Sequence, residues 1–290
     1  MRLRSVELHV TGVAAAAQFL TDVWRLLPAG EQGGARYFRG SGDQPYILCL
    51  REAAAPAVAS VCFGGSPAEL SQLRERAQRA GAPLRPFAAL DAPGGGSGFF
   101  VQGSEAQSYC FVSEASVPVV NADPDTPVRI THTVINALDV LACERFAVDV
   151  LGFQVSDRTR AMTFVRCDRK HHAIAYAHAA VASLNHIAFE MRDIDAVMRG
   201  FGRMREAGFA PVWGPGRHGP GNNVFGYFIA PFGAVIEYTA EISEVGDDYR
   251  VGGPEDWTWP PGRLDHWGVS VKDSARIMVV ERNYCFPVLN

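Results

Sequence analysis

Residues 19–23 read FLTDV and residues 146–150 read FAVDV, so Phe19, Asp22 and Val23 return as Phe146, Asp149 and Val150 after 127 positions. Outward from these, Ala80 and Gly81 close the helix-like run ELSQLRERAQRAG. They return at the same offset as Ala207 and Gly208, which close IDAVMRGFGRMREAG. Phe99-Phe100-Val101 then align with Tyr227-Phe228-Ile229 at an offset of 128. Matches at nearly one offset mark an internal duplication. Each half divides again into a strand, an amphipathic helix and several short strands, twice over. In the second half RITHTVIN leads into a helix around LACERFAVDVLG and then into FQVSD, MTFVRC and HHAIAYAH. The pattern restarts at LNHIAFEM, passes a helix with Ile194, Val197, Met198, Phe201 and Met204 on one face, and ends in VFGYFIA and AVIEYTAE. This predicts an α+β fold of four βαβββ modules, paired into two cupped, incompletely closed barrels. The Pro-, Asp- and Ser-rich stretch 113–127 predicts the linker. It sets an N-terminal domain over 1–120, without a metal site, against a C-terminal domain over 121–290 that ends in an extension.

The composition narrows the function classes. With 48% hydrophobic and 20% charged residues in 290, a substantial core is available and disorder is not expected. A net charge of −4 and the absence of a basic stripe argue against nucleic acid or an anionic membrane as partner. No apolar run is long enough to span a bilayer, and the opening MRLRSVELHV lacks signal-peptide anatomy, which leads us to expect a cytoplasmic protein. The six cysteines (Cys49, Cys62, Cys110, Cys143, Cys167 and Cys285) stand singly and read as reduced thiols.

Three polar residues interrupt the strands of the second half. Strict alternation puts His132 on one face with Val128, Ile130 and Val134, His186 with Leu184 and Ala188, and Glu237 with Val235. A carboxylate among aliphatics is costly unless a cation compensates it. Two imidazoles and a carboxylate converging on one sheet face form a facial triad, which leaves open positions on a non-haem Fe(II). Laid over this half, the first half offers Ser5, Ala59 and Tyr109 at the three places. The scaffold therefore does not require the triad for folding, and chemistry explains it better than packing does.

The segment GPGRHGPGNNVFGYFIAPFGAVIEYTAE, the upstream HxxVI strand and NHIAFEM together resemble the type I extradiol catechol dioxygenases of the vicinal oxygen chelate (glyoxalase/bleomycin-resistance) superfamily. The likeness covers nearly the whole chain as architecture and residues 128 to 242 as specific motif. It includes the spacings of fourteen from His172 to His186, nine from His218 to Tyr227 and ten from Tyr227 to Glu237. The resemblance implies a catalytic second half with His132, His186 and Glu237 as ligands of Fe(II), Mn(II) being the second choice. It implies His172 as an acid–base histidine, Tyr227 as a hydrogen-bond partner of a substrate hydroxyl, and His218 as a further donor. The implied substrates are a catechol-type diol and O2, and the implied assembly a homo-oligomer. Where the branch acting on carboxylated catechols has an arginine, this chain has Trp213, which points to a neutral, apolar-substituted diol. Trp213, Asn222 and Phe225 are the expected substrate contacts.

Read without the resemblance, some of these residues keep two meanings. His218, in a loop with four glycines and two prolines in ten residues, is either functional or a turn histidine facing water. Tyr227 is either functional or a core tyrosine with a satisfied hydroxyl. Asn222 and Asn223 fit the loop turn. Strand alternation turns His171 away from His172, and no role falls to it or to His178. The aromatic tail DDYRVGGPEDWTWPPGRLD (247–265) either covers the cup mouth or packs on an outer surface. Two rival functions stand beside ring cleavage: a glyoxalase-type metal-dependent lyase or isomerase, and a metal-free small-molecule binding module.

Overall fold

The computed structural model describes residues 1–113 and 116–287. The first half runs β1 (Arg2–Val10), α1 (Val13–Asp22), β2 (Leu27–Gln32), β3 (Ala35–Arg39) and β4 (Leu48–Glu52). It continues through β5 (Ala57–Gly65), α2 (Pro67–Arg79), β6 (Leu84–Phe87), β7 (Gly98–Gln102) and β8 (Ser108–Ser113). The second half repeats this order with β9 (Arg129–Ala137), α3 (Val140–Arg145), β10 (Gln154–Arg158), β11 (Met162–Arg166) and β12 (Ile174–His178). Its last module is β13 (Ser183–Glu190), α4 (Ile194–Glu206), β14 (Trp213–Arg217), β15 (Val224–Ile229) and β16 (Val235–Ala240). A short helix α5 (Ser274–Val280) follows. These are the four expected βαβββ modules.

Each half is one eight-stranded mixed sheet, ordered β2-β3-β4-β1-β5-β8-β7-β6 and β10-β11-β12-β9-β13-β16-β15-β14. The leading strands of two modules, β1 with β5 and β9 with β13, pair antiparallel at the centre. The outer strands β10 and β14 do not meet, so the sheet stays open, as expected.

Local chemistry starts and stops the helices. Ser66 caps α2 in a capping box with Glu69, and Pro67 follows at the first helical position. Asp139 and Asp193 cap α3 and α4 by accepting from Ala142 N and Ala196 N. Gly81 and Gly208 take left-handed φ of 66° and 86° just beyond the helix ends, which explains the repeated Ala-Gly pair. The helix α3 runs on as a π-helical turn over Phe146–Leu151.

The helices pack between the two sheets and join them in one core. Trp24 stacks on Tyr238 with centroids 3.6 Å apart, Phe19 meets Phe209 and Phe232, and Phe63 meets Phe153. The segment after β8 lies back on the first half, with Val117 N donating to Asp43 O and Val120 N to Ser41 O. Glu114 and Ala115, within the expected linker, lie outside the described residues. All six cysteines are unpaired and four of them are buried. Among the described residues no helix is long and apolar enough to cross a membrane.

Two bulges correct the strict alternation read from sequence. On β9, His132 faces Ala188 but Ile130 faces Phe189, so Thr131 is the extra residue; on β13, Asn185 is extra between Leu184 and His186. A bulge re-aims the side chains beyond it. Ile130 and Leu184 therefore join the inter-sheet core. His132, Val134, Asn185 and His186 line the open face instead. The same register corrects the comparison of halves. Ser5 faces Cys62, and Cys62 faces Cys110, as His132 faces Ala188 and Ala188 faces Glu237. The first-half counterparts of His186 and Glu237 are thus Ser60 and Cys110, not Ala59 and Tyr109. Phe100, opposite Cys110, likewise matches Tyr227, opposite Glu237, so the third repeat sits at 127 and not 128.

Candidate metal centre

The strands β9, β13 and β16 lie side by side, and each contributes one side chain to a single point. His132 Nε2 and His186 Nε2 lie 3.3 and 3.1 Å from the same carboxylate oxygen, Glu237 Oε2. One donor atom from each residue falls within 4.8 Å of the others, and all three residues are buried. His186 Nε2 and Glu237 Oε2 have no hydrogen-bond partner of acceptable geometry. Neighbouring ligands on an octahedral ion with bonds of about 2.1 Å are about 3.0 Å apart, so this donor set fits a divalent cation. Burial opposes ionisation of Glu237, yet His132 and His186 hold its carboxyl far below the usual range.

The supporting residues orient these donors. The His186 ring lies with Nδ1 2.7 Å from Asn185 Oδ1, so Nδ1–H donates there and Nε2 is left bare for a metal. Asn223, fully buried, donates from Nδ2 to Thr239 Oγ1 at 2.7 Å and to Glu237 Oε1 at 3.4 Å, leaving Oε2 free. Sequence reasoning set Asn223 aside as a turn residue. The signal it passed over is position: Asn223 immediately precedes the apolar strand β15, where the core begins.

Beside the triad lies a cavity of about 670 Å³, lined by His132, His172, His186, Trp213, His218 and Tyr227 among others. The His172 ring packs 4.2 Å from that of His132. Its place differs from expectation, because β12 begins only at Ile174 and His172 sits in the turn before it. Burial and the neighbouring histidines push the His172 imidazole well below its ordinary value. His218 Nε2 lies 2.9 Å from the Tyr227 hydroxyl oxygen, and burial drives His218 down to about 3. Burial, with Glu237 nearby, raises the Tyr227 phenol well above 10. At neutral pH this pair is therefore a phenol and a neutral imidazole.

Two expected substrate contacts do not reach the cavity. Asn222 is exposed at φ 52°, a left-handed turn position tolerated by asparagine, and its backbone N and O bond to Gly219 and Arg217 within the loop. Phe225 is buried beneath Trp213 and His218, with centroids 4.4 and 4.0 Å away, and supports them from behind. The stretch read as loop before His218 is the edge strand β14, with its irregularity at Gly214 and Pro215, where an edge accepts proline.

The C-terminal extension closes one side. Trp259, Leu264, Lys272, Ile277 and Glu281 line the cavity; Trp259 and Leu264 belong to the 247–265 tail, which favours the first of its two readings, covering the mouth. Lys272 Nζ stands 4.9 Å over the Trp213 ring. Two histidines given no role from sequence also belong here. His178 is exposed at the cavity rim. His171 is buried, with Nδ1 3.0 Å from His172 Nδ1 and Nε2 2.7 Å from Asp157 Oδ2.

In the first sheet the corresponding place holds buried side chains, Arg4, Ser5, Tyr46, Ser60 and Cys110. Register puts Tyr46 where His172 sits, its hydroxyl 3.3 Å from Glu7 Oε1 and 3.3 Å from Arg4 Nη1.

Comparison with known proteins agrees with this architecture. The sequence profile of the Glyoxalase/Bleomycin resistance protein/Dioxygenase superfamily matches residues 129–238. The Mn(II)-bound glyoxalase from Novosphingobium aromaticivorans superposes with a TM-score of 0.86 at 33% identity, over 95% of this chain and 93% of that one. The chain belongs to the glyoxalase/bleomycin resistance protein/dioxygenase superfamily. Within this superfamily it is 30% identical to metapyrocatechase 2 of Cupriavidus necator over 156 residues, 51% of this chain and 46% of that protein. The chain thus spans about half the length of that relative. It is 24% identical to 2,2',3-trihydroxybiphenyl dioxygenase of Sphingomonas paucimobilis over 241 residues, 75% of this chain and 80% of that protein. The superfamily match falls on the sheet that carries the triad.

Proposed function

We propose that this protein is an extradiol ring-cleaving dioxygenase, which inserts both atoms of O2 into a vicinal aromatic diol. His132, His186 and Glu237 would hold a mononuclear Fe(II), with Mn(II) as the alternative ion. Bound there, a divalent iron would supply open coordination positions and the redox chemistry that lets a diol react with O2.

The observation that carries this reading is the ring of proton-handling groups around the triad. His172 packs on the ligand His132, while Tyr227 and His218 are hydrogen-bonded to each other across the same cavity wall. A diol that binds here must lose a proton, and the neutral imidazole of His172, packed on a ligand at the cavity wall, is placed to accept it. Tyr227, kept as a phenol, donates to or accepts from a substrate oxygen and fixes the ring's orientation. Trp259, Leu264 and Ile277 from the C-terminal extension cover the site and limit entry of water. The cavity, about 670 Å³ with mostly apolar walls, is roomy for an unsubstituted catechol, which supports a diol with a bulky, apolar substituent. Relatives named metapyrocatechase and 2,2',3-trihydroxybiphenyl dioxygenase are in keeping with this class.

One observation favours a second reading, a metal-dependent glyoxalase-type lyase or isomerase: the 33% identical structure bears that name. The two readings differ in oxygen. Protein reconstituted with Fe(II) without air, then given catechol, 3-methylcatechol or 2,3-dihydroxybiphenyl and O2, should consume one O2 per diol and form a yellow ring-opened product. Conversion of a methylglyoxal–thiol adduct without O2 uptake would support the lyase instead. A chain that consumes no oxygen with any vicinal diol is not an extradiol dioxygenase. On the same reading the enzyme is a cytoplasmic homo-oligomer, which sedimentation of the purified protein checks.

A further inference from the structure

Asp157, in β10, is a fully buried carboxylate outside the metal triad. An ionised carboxylate at such depth is costly unless its oxygens are satisfied. Its Oδ1 accepts from Gly252 N at 2.8 Å, and the Tyr249 hydroxyl donates to the same group at 3.2–3.3 Å. Its Oδ2 lies 2.7 Å from His171 Nε2, and His171 Nδ1 lies 3.0 Å from His172 Nδ1. Asp157, His171 and His172 thus form one buried line that ends at the cavity wall, where the His172 ring packs on His132.

Donor and acceptor capacity sets the proton positions along this line once Asp157 is taken as the carboxylate and His171 as a neutral ring. A carboxylate only accepts, so the proton between Asp157 and His171 sits on His171 Nε2. A neutral His171 then has a bare Nδ1, which can only accept. The proton between the two rings therefore belongs to His172 Nδ1, and His172 Nε2 is left bare toward the cavity. We propose that Asp157 and His171 are positioning residues, which fix the orientation and tautomer of His172 so that its bare Nε2 faces the substrate. This rests on the ring-cleaving reading only for what the nitrogen does. There, the diol O–H bond breaks, an N–H bond forms at His172 Nε2, and no electrons are exchanged.

The C-terminal tail is part of this device. Gly252 bridges to Asp157 as a parallel partner, and Arg158 N donates to Gly252 O at 2.9 Å. A Cβ at Gly252 would meet Asp157 Oδ1 at 2.7 Å and Trp257 Nε1 at 2.8 Å, so only glycine permits the approach. The stretch 249–252 therefore caps the carboxylate as well as leading into the segment that covers the cavity.

The test is Asp157→Asn, read by 15N NMR of histidine-labelled protein without metal, beside metal content and kinetics of the Fe(II) form. The wild type should show His172 with Nδ1 protonated and Nε2 bare. In Asp157→Asn the amide oxygen keeps the contacts from Gly252 N and Tyr249, while the amide NH2 now donates to His171 Nε2. That reverses both rings and protonates His172 Nε2. Exchanging a triad carboxylate for its amide acts in this way, by imposing the wrong tautomer on an intact geometry. We expect an unchanged metal content, kcat lower by about 10²-fold, and KM changed far less. A wild-type His172 with Nε2 already protonated would overturn the proposal, and that measurement stands even if Asp157→Asn fails to fold. A variant that loses thermal stability yet keeps the wild-type tautomer and kcat would overturn it too. Absence of O2 uptake by the wild type would instead remove the ring-cleaving reading and leave the tautomer result to decide this one.

Discussion

The Tyr227 hydroxyl oxygen lies 2.9 Å from His218 Nε2, which binds a β15 residue to the loop after β14 on the wall facing the metal triad. Tyr227 also meets the His186 ring edge-on at 4.9 Å, so the pair connects a ligand to the cavity. Tyr227→Phe removes only the hydroxyl. It should retain metal and fold, and lower kcat/KM for a catechol by about tenfold, the scale of one lost hydrogen bond. Equal kcat/KM in the two proteins would take Tyr227 out of substrate recognition.

Glu237 is the one anion among the three donors, and its Oε2 is the atom both imidazoles share. Glu237→Ala should therefore abolish metal retention, measured as metal content of protein purified without air. A full complement of metal in that variant would contradict the assignment of the ligand set.

His172 touches a ligand without belonging to the triad. His172→Phe should keep the metal and slow ring opening by about 10²-fold or more, the usual effect of removing a general acid–base group. Stopped-flow detection of the yellow product measures this, and normal turnover would exclude the role.

His218 gives a pH dependence with a definite sign. Burial lowers it from 6.5 to about 3, so the unfolded chain binds a proton in a range where the folded one does not. The stability this neutral, buried imidazole contributes is whole above pH 6.5 and is lost as the pH falls from there toward 3. In metal-free protein, His218→Gln should flatten the decline of the urea midpoint across that interval. A wild-type midpoint that stays level from pH 6.5 to 4 would contradict the buried neutral state.

Lys272 bears on selectivity, because it sets a half-buried cation over Trp213. Trp213→Arg should add a second cation to that wall and shift preference toward carboxylated catechols, whereas Lys272→Met should shift it toward neutral ones. Ratios of kcat/KM for a carboxylated and a neutral diol decide both, and unchanged ratios would place this wall away from the substituent.

Much of this was legible in the chain. The strands around His132, His186 and Glu237 declared themselves as short, largely apolar runs, and in the structure they are buried almost throughout. The duplication was visible in Phe19 and Phe146 and in the two Ala-Gly pairs, which end helices by the same left-handed glycine. The errors cluster where one residue is inserted. Thr131 and Asn185 each shift the parity of a strand, so Ile130 and Leu184 were placed on the wrong face. The first-half counterparts of His186 and Glu237 were misread by one position, while Ser5 was matched to His132 correctly. Asn222 and Phe225 were misplaced for a related reason, since neighbours of a functional residue share its loop or strand without sharing its direction.

The order of modules, the open α+β sheet and the residue types of the triad were determined by sequence alone, because hydrophobic period and helix-capping chemistry are local properties that need no partner to be read. Tertiary structure alone decided which lone polar residues meet. Asp157 and His171 are separated by 14 positions, and Asp157 and Tyr249 by 92, and neither pair forms a motif. They meet because β10 and the returning tail enclose a carboxylate that burial obliges to find donors, a requirement that exists only once the chain has folded around it.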